Sequence, residues 1–345
     1  MATGPRIVVR PPNWLGDAVM ALPALAAVRR HFSDAHLTVV ALPAVAAIFR
    51  EQTDVAPDAV IDLPSSNGAA IQTIAGGRFD VGILLPNSWR SAWQFRRAGV
   101  AERWGYGGSG RGVLLTRRVR RPRGGIHQAD YYRHLVSGLD MRCDPPVEPR
   151  MASSPRSVDD ADALLLSAGV SGEAPIVAFA PGAAYGQAKQ WYPERAAEVA
   201  ARLVRDRGVT CVLIGAGHDR DAGRAIESWL RANAPGAAGR VVNLIGRTSL
   251  RVLVGVVSRT AAVVTNDSGS MHLAAALGRP VVAVFGPTDD RVTHPIGDHH
   301  VLTSSVFCRP CMLRDCPIDH RCMKRITVDQ VHAAVLDVLS RKVVR

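Results

Sequence analysis

The sequence predicts an α/β protein of two similar halves, and three observations carry that expectation. Short β-branched runs alternate with longer apolar patterns at helical spacing, the order in which parallel sheets and their covering helices arise. The alternation pauses once, across a Pro- and Ser-rich stretch from 139 to 173, and then starts again. The chain has 345 residues, about two ordinary domains in length.

In the first half the β-branched runs predict strands at 6–10, 37–42, 59–63 and 80–85. Between the first two, Val19, Leu22, Leu25 and Val28 recur at helical spacing and predict a helix over 17–32. The following stretch carries Pro145-Pro146, Pro149, Ser153-Ser154-Pro155 and Gly172, which read as a linker holding one helix. A second series predicts strands at 176–180, 209–214, 241–244, 261–265 and 280–285. Helices fill the gaps at 193–207, 219–233, 250–257 and 268–277, and a last one spans 328–339. The expected division is therefore a Rossmann-like domain over 1–150, a linker over 151–174 and a second Rossmann-like domain over 175–326. A C-terminal helical segment, 327–345, is expected to cross back to the first domain. Two such halves place a ligand cleft between them.

Composition narrows the classes. With 47% hydrophobic and 21% charged residues, the chain is neither disordered nor fibrous. No apolar run approaches the ~18 residues of a membrane span, and the stretch from Met1 to Arg10 lacks a signal-peptide layout. A soluble cytoplasmic protein is expected. Forty-two Lys and Arg against 30 Asp and Glu give a net charge of +12, which favours an anionic partner.

Four polar turns fall at carboxyl ends of expected strands. After the first comes Asn13-Trp14-Leu15-Gly16-Asp17; it is neither a GxGxxG fingerprint nor a P-loop. Asp17 opens a helix, where a carboxylate is favoured by the dipole, or it serves as a general base facing the cleft. In the second half, Thr265-Asn266-Asp267-Ser268-Gly269-Ser270 leads into a helix. Asp267 and Ser268 either cap that helix or, with Gly269 and its free amides, hold a pyrophosphate without metal. His272 lies one turn further in, within reach of the same anion. The long loop 180–191 carries one lysine, Lys189, which is a solvated surface charge or a clamp on a leaving diphosphate. Asp219 ends a fourth, Gly-rich turn, and either caps the next helix or accepts ribose hydroxyls.

Together these residues carry a resemblance. The segments 12–20, Leu85-Pro86-Asn87-Ser88-Trp89-Arg90-Ser91-Ala92, Pro181-Gly182-Ala183 with Lys189-Gln190-Trp191, Thr265-Asn266-Asp267-Ser268-Gly269 with His272, and Phe285-Gly286-Pro287-Thr288 resemble the ADP-heptose:lipopolysaccharide heptosyltransferase family, glycosyltransferase family 9. The likeness covers nearly the whole chain and is nearer to members that add the second inner-core heptose than to those that add the first. It implies a GT-B fold, two Rossmann-like domains facing each other across a cleft. The implied reaction is transfer of L-glycero-D-manno-heptose from ADP-heptose to the first heptose of Kdo2-lipid A, with inversion. Asp17 matches the family's proposed base. Lys189, Asp267, Ser268, Gly269 and His272 match donor-binding positions, and Asp219 the acid on the adenosine ribose. Asn13, Trp14, Asn87, Ser88, Arg90 and Arg120 are the implied acceptor contacts, and catalysis requires no cofactor.

Two features stand beside that reading. From Arg90 to Arg133 eleven arginines face Glu102 and Asp130. They are a solvated basic face, or a surface for lipid A phosphates, Kdo carboxylates and the anionic inner leaflet, at roughly 1 kcal/mol per basic side chain. Such contact would place the enzyme peripherally on the cytoplasmic membrane. Cys308, Cys311, Cys316 and Cys322 crowd into one segment. Their spacing suits a structural zinc tetrahedron, reduced buried thiols or, less naturally, an iron–sulfur cluster. Other readings are a different heptosyl or sugar-nucleotide enzyme on the same scaffold, and a basic nucleic-acid-binding protein. The last lacks any recognition module, so no nucleic-acid partner is expected.

Overall fold

The structure, a computed structural model, describes residues 4–145, 148–170, 172 and 174–341. Pro146 and Glu173 of the linker stretch, and the chain's first three and last four residues, lie outside the described residues. The chain forms two compact units, Met1–Ala152 and Ser153–Arg345.

The strands are β1 Arg6–Arg10, β2 His36–Ala41, β3 Gln52–Thr53, β4 Ala59–Asp62, β5 Val81–Leu84, β6 Glu102–Tyr106, β7 Arg117–Val119 and β8 Met151–Ala152. In the second unit they are β9 Ile176–Ala180, β10 Thr210–Leu213, β11 Val241–Asn243, β12 Thr260–Asn266, β13 Val281–Val284 and β14 His299–Leu302. The first unit's sheet runs β4-β2-β1-β5-β6-β7 and the second's β11-β10-β9-β12-β13-β14. All neighbours in both are parallel. Each sheet thus follows the doubly wound order in which the third, second and first strands lie to one side of the fourth, fifth and sixth. The direction of winding reverses between β1 and β5, and again between β9 and β12. Beside these switch points a crevice opens at the carboxyl ends of the strands, because the flanking connections leave to opposite faces.

The central strands are buried on both faces, so Ile7, Val8 and Val9, like Val281 and Val282, read as unbroken apolar runs. Three outer strands read differently. Strands β6, β7 and β14 carry Glu-Arg-Trp, Arg-Arg and His-His and give no apolar signal, which is why the sequence reading has none of them. The expected helix over 17–32 is two helices, Leu15–Met20 and Leu22–His31. Pro23, second in the latter, has no N–H to continue the first helix's ladder.

The helix inside the linker stretch, Pro155–Ser167, belongs to the second unit and packs on the helix Leu250–Ser258. Their closest approach is at Gly255, where an added Cβ would lie 1.9 Å from the Ser157 carbonyl oxygen. The last helix, Val328–Ser340, begins with a reciprocal cap between Thr327 and Gln330. Its Val331, Val335 and Val338 join the core of the second unit, beside Leu203, Cys322 and Met323. The helix thus packs into the core of the second unit.

Gly255→Ala is expected to lower stability by about 1–3 kcal/mol through overpacking, read as a lower denaturation midpoint. Gly76→Ala, at a helix end with nothing within 4 Å of the new methyl, should change it by less than ~0.5 kcal/mol.

Candidate functional site

The carboxyl edge of the first sheet carries Asp17 and its neighbours. The turn after β1 leaves Asn13 and Trp14 exposed, Trp14 at 62%, and enters the helix Leu15–Met20, whose first turn holds Asp17. The Tyr132 hydroxyl, on the helix Gln128–Ser137, donates to Asp17 Oδ1 at 2.9 Å. Tyr132 is 4% exposed. Burial, and then the Asp17 carboxylate itself, push its pKa well above the usual phenol value, so it stays a donor. One carboxylate oxygen is thereby fixed in direction. No sequence spacing marks this pair, whose members lie far apart in the chain; only the folded first unit joins them.

The segment after β5 is engaged in internal contacts. Asn87 Nδ2 donates to the Tyr131 hydroxyl at 2.7 Å, and Asn87 Oδ1 is buried without a partner. Ser88 caps the helix Trp89–Arg97, with Oγ accepting from the Ser91 amide. Arg90 spans to Asn67 Oδ1 and the Ser65 carbonyl, both at 2.6 Å. Arg120 is exposed.

The second unit assembles a tighter polar cluster at its own switch point. Asn266, at the end of β12, donates from Nδ2 to the Pro181 carbonyl at 2.7 Å and accepts from the Trp191 amide at 3.0 Å. One buried carboxamide so ties the long loop after β9 to the neighbouring strand. Lys189 is thereby brought to Asp267, with Nζ 2.5 Å from Oδ2, and Thr288 Oγ1 donates to the same oxygen at 2.7 Å. Asp267 and Thr288 are 6% and 4% exposed. Lys189 also lies 4.8 Å from the Tyr185 ring centroid. Lys189 is therefore an oriented, paired cation and not a solvated surface charge.

Ser268 begins the helix Gly269–Ala276 without a side-chain cap bond; its hydroxyl instead pairs with that of Thr265 at 3.1 Å. First-turn amides of a helix have no acceptor within it, and His272 lies buried one turn on. Asp219 is 7% exposed and closes its own loop, Oδ2 accepting from the Ala216 amide at 2.9 Å. It makes no cap bond to the helix that follows. Its carboxylate packs on Gly182 and Gly215, where an added Cβ would come within 2.0 and 2.8 Å.

Part of the basic stretch is consumed inside the first unit. Arg111 is fully buried and donates to the Pro86 carbonyl at 2.5 Å. Arg103 takes the Leu114, Val100 and Ala101 carbonyls, and Arg117 pairs with Asp140 and lies over Trp104. Arg90, Arg96, Arg97, Arg118, Arg120 and Arg123 remain exposed. The basic face expected from the sequence is thus shared between these and guanidinium groups that donate to carbonyls at irregular turns.

The cysteine expectation needs correction too. Among the described residues no three His, Cys, Asp or Glu side chains form a group able to hold a metal. Burial raises the Cys322 thiol, with smaller rises from Cys316, Cys308 and Cys311, so the sulfurs share a neighbourhood without a chelating arrangement. Nor are they uniformly buried: Cys316 is exposed and Cys322 buried. Their segment braces the Lys189 loop, through Ala188 N to the Arg314 carbonyl at 2.8 Å and His320 Nε2 against the Ala188 carbonyl at 2.7 Å.

The profile of the family described as glycosyltransferase family 9 (heptosyltransferase) matches residues 68–321. Lipopolysaccharide heptosyltransferase 2 of Salmonella typhimurium is 28% identical, over 98% of this chain and 96% of its own length. The Escherichia coli protein of the same name is 29% identical over 84% of this chain and 85% of its own. The solved structure of E. coli ADP-heptose lps heptosyltransferase II superposes with a TM-score of 0.82 at 26% identity, covering 97% of this chain and 98% of that one. An E. coli heptosyltransferase solved with ADP shares the fold at a TM-score of 0.71 and 19% identity.

Lys189→Met leaves the Asp267 carboxylate buried beside a single hydroxyl, and should destabilise the protein by about 3 kcal/mol. Adding Asp267→Asn should recover most of that loss. Urea unfolding of the three proteins measures both.

Proposed function

The chain belongs to glycosyltransferase family 9, and from that premise we propose the following division of labour in an ADP-heptose-dependent heptosyl transfer to the lipopolysaccharide core. Asp17 is the base. Its carboxylate takes the proton from an acceptor hydroxyl, whose oxygen attacks the anomeric carbon of the donor. The bond from that carbon to the diphosphate breaks, ADP leaves with the electron pair, and the configuration inverts. Tyr132 donates to Asp17 Oδ1 and so helps to orient the carboxylate toward its task.

The second unit holds the donor. Lys189, aimed by Asp267 and Tyr185, meets the diphosphate together with the first-turn amides of Gly269–Ala276. Charge developing on ADP is stabilised there by the ammonium group and the helix end. Ser268 and His272 line the same turn. Asp219 acts on the ribose only by way of the loop it shapes.

The observation that carries this reading is positional. Asp17 follows β1 and Lys189 with Asp267 follow β9 and β12, so the proposed base and the proposed diphosphate clamp each stand at a switch point. In this reading the acceptor is Kdo2-lipid A bearing one heptose, met by Asn13, Trp14, Asn87 and the exposed Arg120, on the cytoplasmic side of the inner membrane. Among the described residues no helix is long and apolar enough to cross a membrane. Contact with the anionic leaflet would be peripheral, through the arginines that remain exposed.

A transfer assay with ADP-heptose and Kdo2-lipid A, with and without one heptose, tests the assignment. ADP release only with the heptose-bearing acceptor is expected. Release with the heptose-free acceptor would make this the enzyme that adds the first heptose, and no release with either would overturn heptosyl transfer.

Asp17→Asn should lower kcat by about 10²–10⁴-fold with ADP binding retained; lost ADP binding would instead assign Asp17 a structural role. Tyr132→Phe removes a hydrogen bond that favours the ionised carboxylate, so the Asp17 pKa should rise. The active form is the carboxylate. The acid limb of the kcat profile should therefore move to higher pH, and an unmoved limb would separate Tyr132 from the base.

A further inference from the structure

Arg10 is the last residue of β1 and is 5% exposed. Its Nη2 donates to Asn13 Oδ1 at 3.1 Å. Its Nε and Nη1 are buried and have no hydrogen-bond partner among the described residues. The charged group that acts on it is another cation, Arg90, which with burial lowers its pKa to about 10, burial being the larger cause. Arg90 sits at the start of the helix Trp89–Arg97 after β5, and β5 pairs with β1 so that Arg10 lies opposite Leu84. The two guanidinium groups therefore flank the switch point of the first sheet, at the same edge as Asp17.

A structural arginine looks different in this protein. Arg103 spends its Nε and Nη1 on three carbonyls, and Arg29 pairs with Asp58 and a carbonyl, leaving its Nε alone without a partner among the described residues. Arg10 has neither a carboxylate nor a carbonyl. A buried guanidinium with two idle donors, facing a like charge, is strongly unfavourable unless an anion completes it. Farther along the same edge the pattern repeats. Arg111, fully buried, has Nε and Nη2 without partners, and Arg121 Nε is likewise buried and unpaired. Arg111 is bound to the Pro86 carbonyl, in the segment that also carries Arg90.

We propose that Arg10 and Arg90, with Asn13 at the surface end, form an anion subsite that receives one phosphate or carboxylate group of the acceptor. The Arg10 guanidinium, with the positive charge of Arg90, whose Nε and Nη2 are held by Asn67 and Ser65, suits a small oxyanion with several acceptor oxygens. Asn13, exposed and bound to Arg10, exchanges its carbonyl oxygen for that of the ligand. The subsite would register the acceptor by its charge while Asp17 addresses the hydroxyl. This assignment of the ligand to the acceptor rests on the heptosyl transfer proposed above; the anion subsite itself does not.

The test begins with thermal unfolding of the full chain in saturating ADP, which occupies the donor side. Millimolar inorganic phosphate is compared with chloride at equal ionic strength. The wild type should gain at least ~2 °C in phosphate, and Arg10→Met should lose that gain. Because Arg10→Met removes an unpaired buried charge, its midpoint in chloride should equal or exceed that of the wild type. Arg90→Gln, at an exposed position, should weaken the gain and provides a second reading that does not disturb the strand. An equal phosphate gain in all three proteins, or none in the wild type, would overturn the subsite.

Kinetics then identify the source of the anion. Arg10→Met should raise the acceptor KM about ten- to a hundredfold and leave the donor KM unchanged. If enzymatic dephosphorylation of the acceptor erases that difference, the group is a phosphate. If the difference persists, it is a carboxylate. An unchanged acceptor KM beside a lost thermal gain would overturn the acceptor assignment in favour of a free anion. A wild type that shows the Arg10-dependent gain but no transfer would overturn the heptosyl transfer and leave the subsite standing.

Discussion

The polar clusters at the carboxyl ends of both sheets depend on the reversal of strand order in an all-parallel sheet. Parallel strands are joined by right-handed crossovers, so a chain that adds strands first to one side and then to the other must part its connections at the middle. The parting falls after β1 and β5 in one unit and after β9 and β12 in the other. Loops there are released from covering the sheet, and their side chains converge from strands adjacent in space but distant in sequence. Asp17 with Tyr132, and Lys189 with Asp267, are products of that convergence.

The second unit shows how such a convergence is made rigid. Asn266 is a strand residue whose carboxamide serves as a backbone surrogate, donating to one end of the long loop and accepting from the other. Lys189 is delivered by that loop, and Asp267, the next residue after the tie, receives it. The arrangement needs no ligand to hold its shape, because the ammonium group and the Thr288 hydroxyl already satisfy the buried carboxylate. A diphosphate arriving there would meet a cation already placed, without first having to order it.

The buried centre of the fold was legible in the sequence because strands covered on both faces are continuous apolar runs. β1, β9 and the helix Pro193–Arg207 fall where expected. One edge strand of each sheet was not legible, since Arg117-Arg118 and His299-His300 carry no apolar code and pair only with β6 and β13, whereas the opposite edges β4 and β11 fall near the expected runs. The same limit applies to the site. Asp17, Lys189 and Asp267 announce themselves by their turns, whereas Tyr132 and Arg10 do not. A tyrosine in an amphipathic helix looks like core, and an arginine closing a strand looks like surface. Only burial and partners distinguish them. Arginine-rich composition also hides an internal role, because Arg103 and Arg111 serve as donors to carbonyls that turns leave unpaired.

The contact between Asp219 and Gly182 has a bearing on how this scaffold can change. The carboxylate occupies the space where any larger residue at 182 would put its Cβ, 2.0 Å from Oδ1, and it restricts position 215 in the same way. Two loops of the second unit are thus locked to glycine by one side chain on a third position. Single replacements at 182 or 215 meet a steric barrier whatever their effect on ligand choice, while a smaller residue at 219 would lift it for both. The order of change at these two positions is therefore constrained: replacement of Gly182 or Gly215 is easiest once Asp219 has become smaller, so one carboxylate governs what both positions can become.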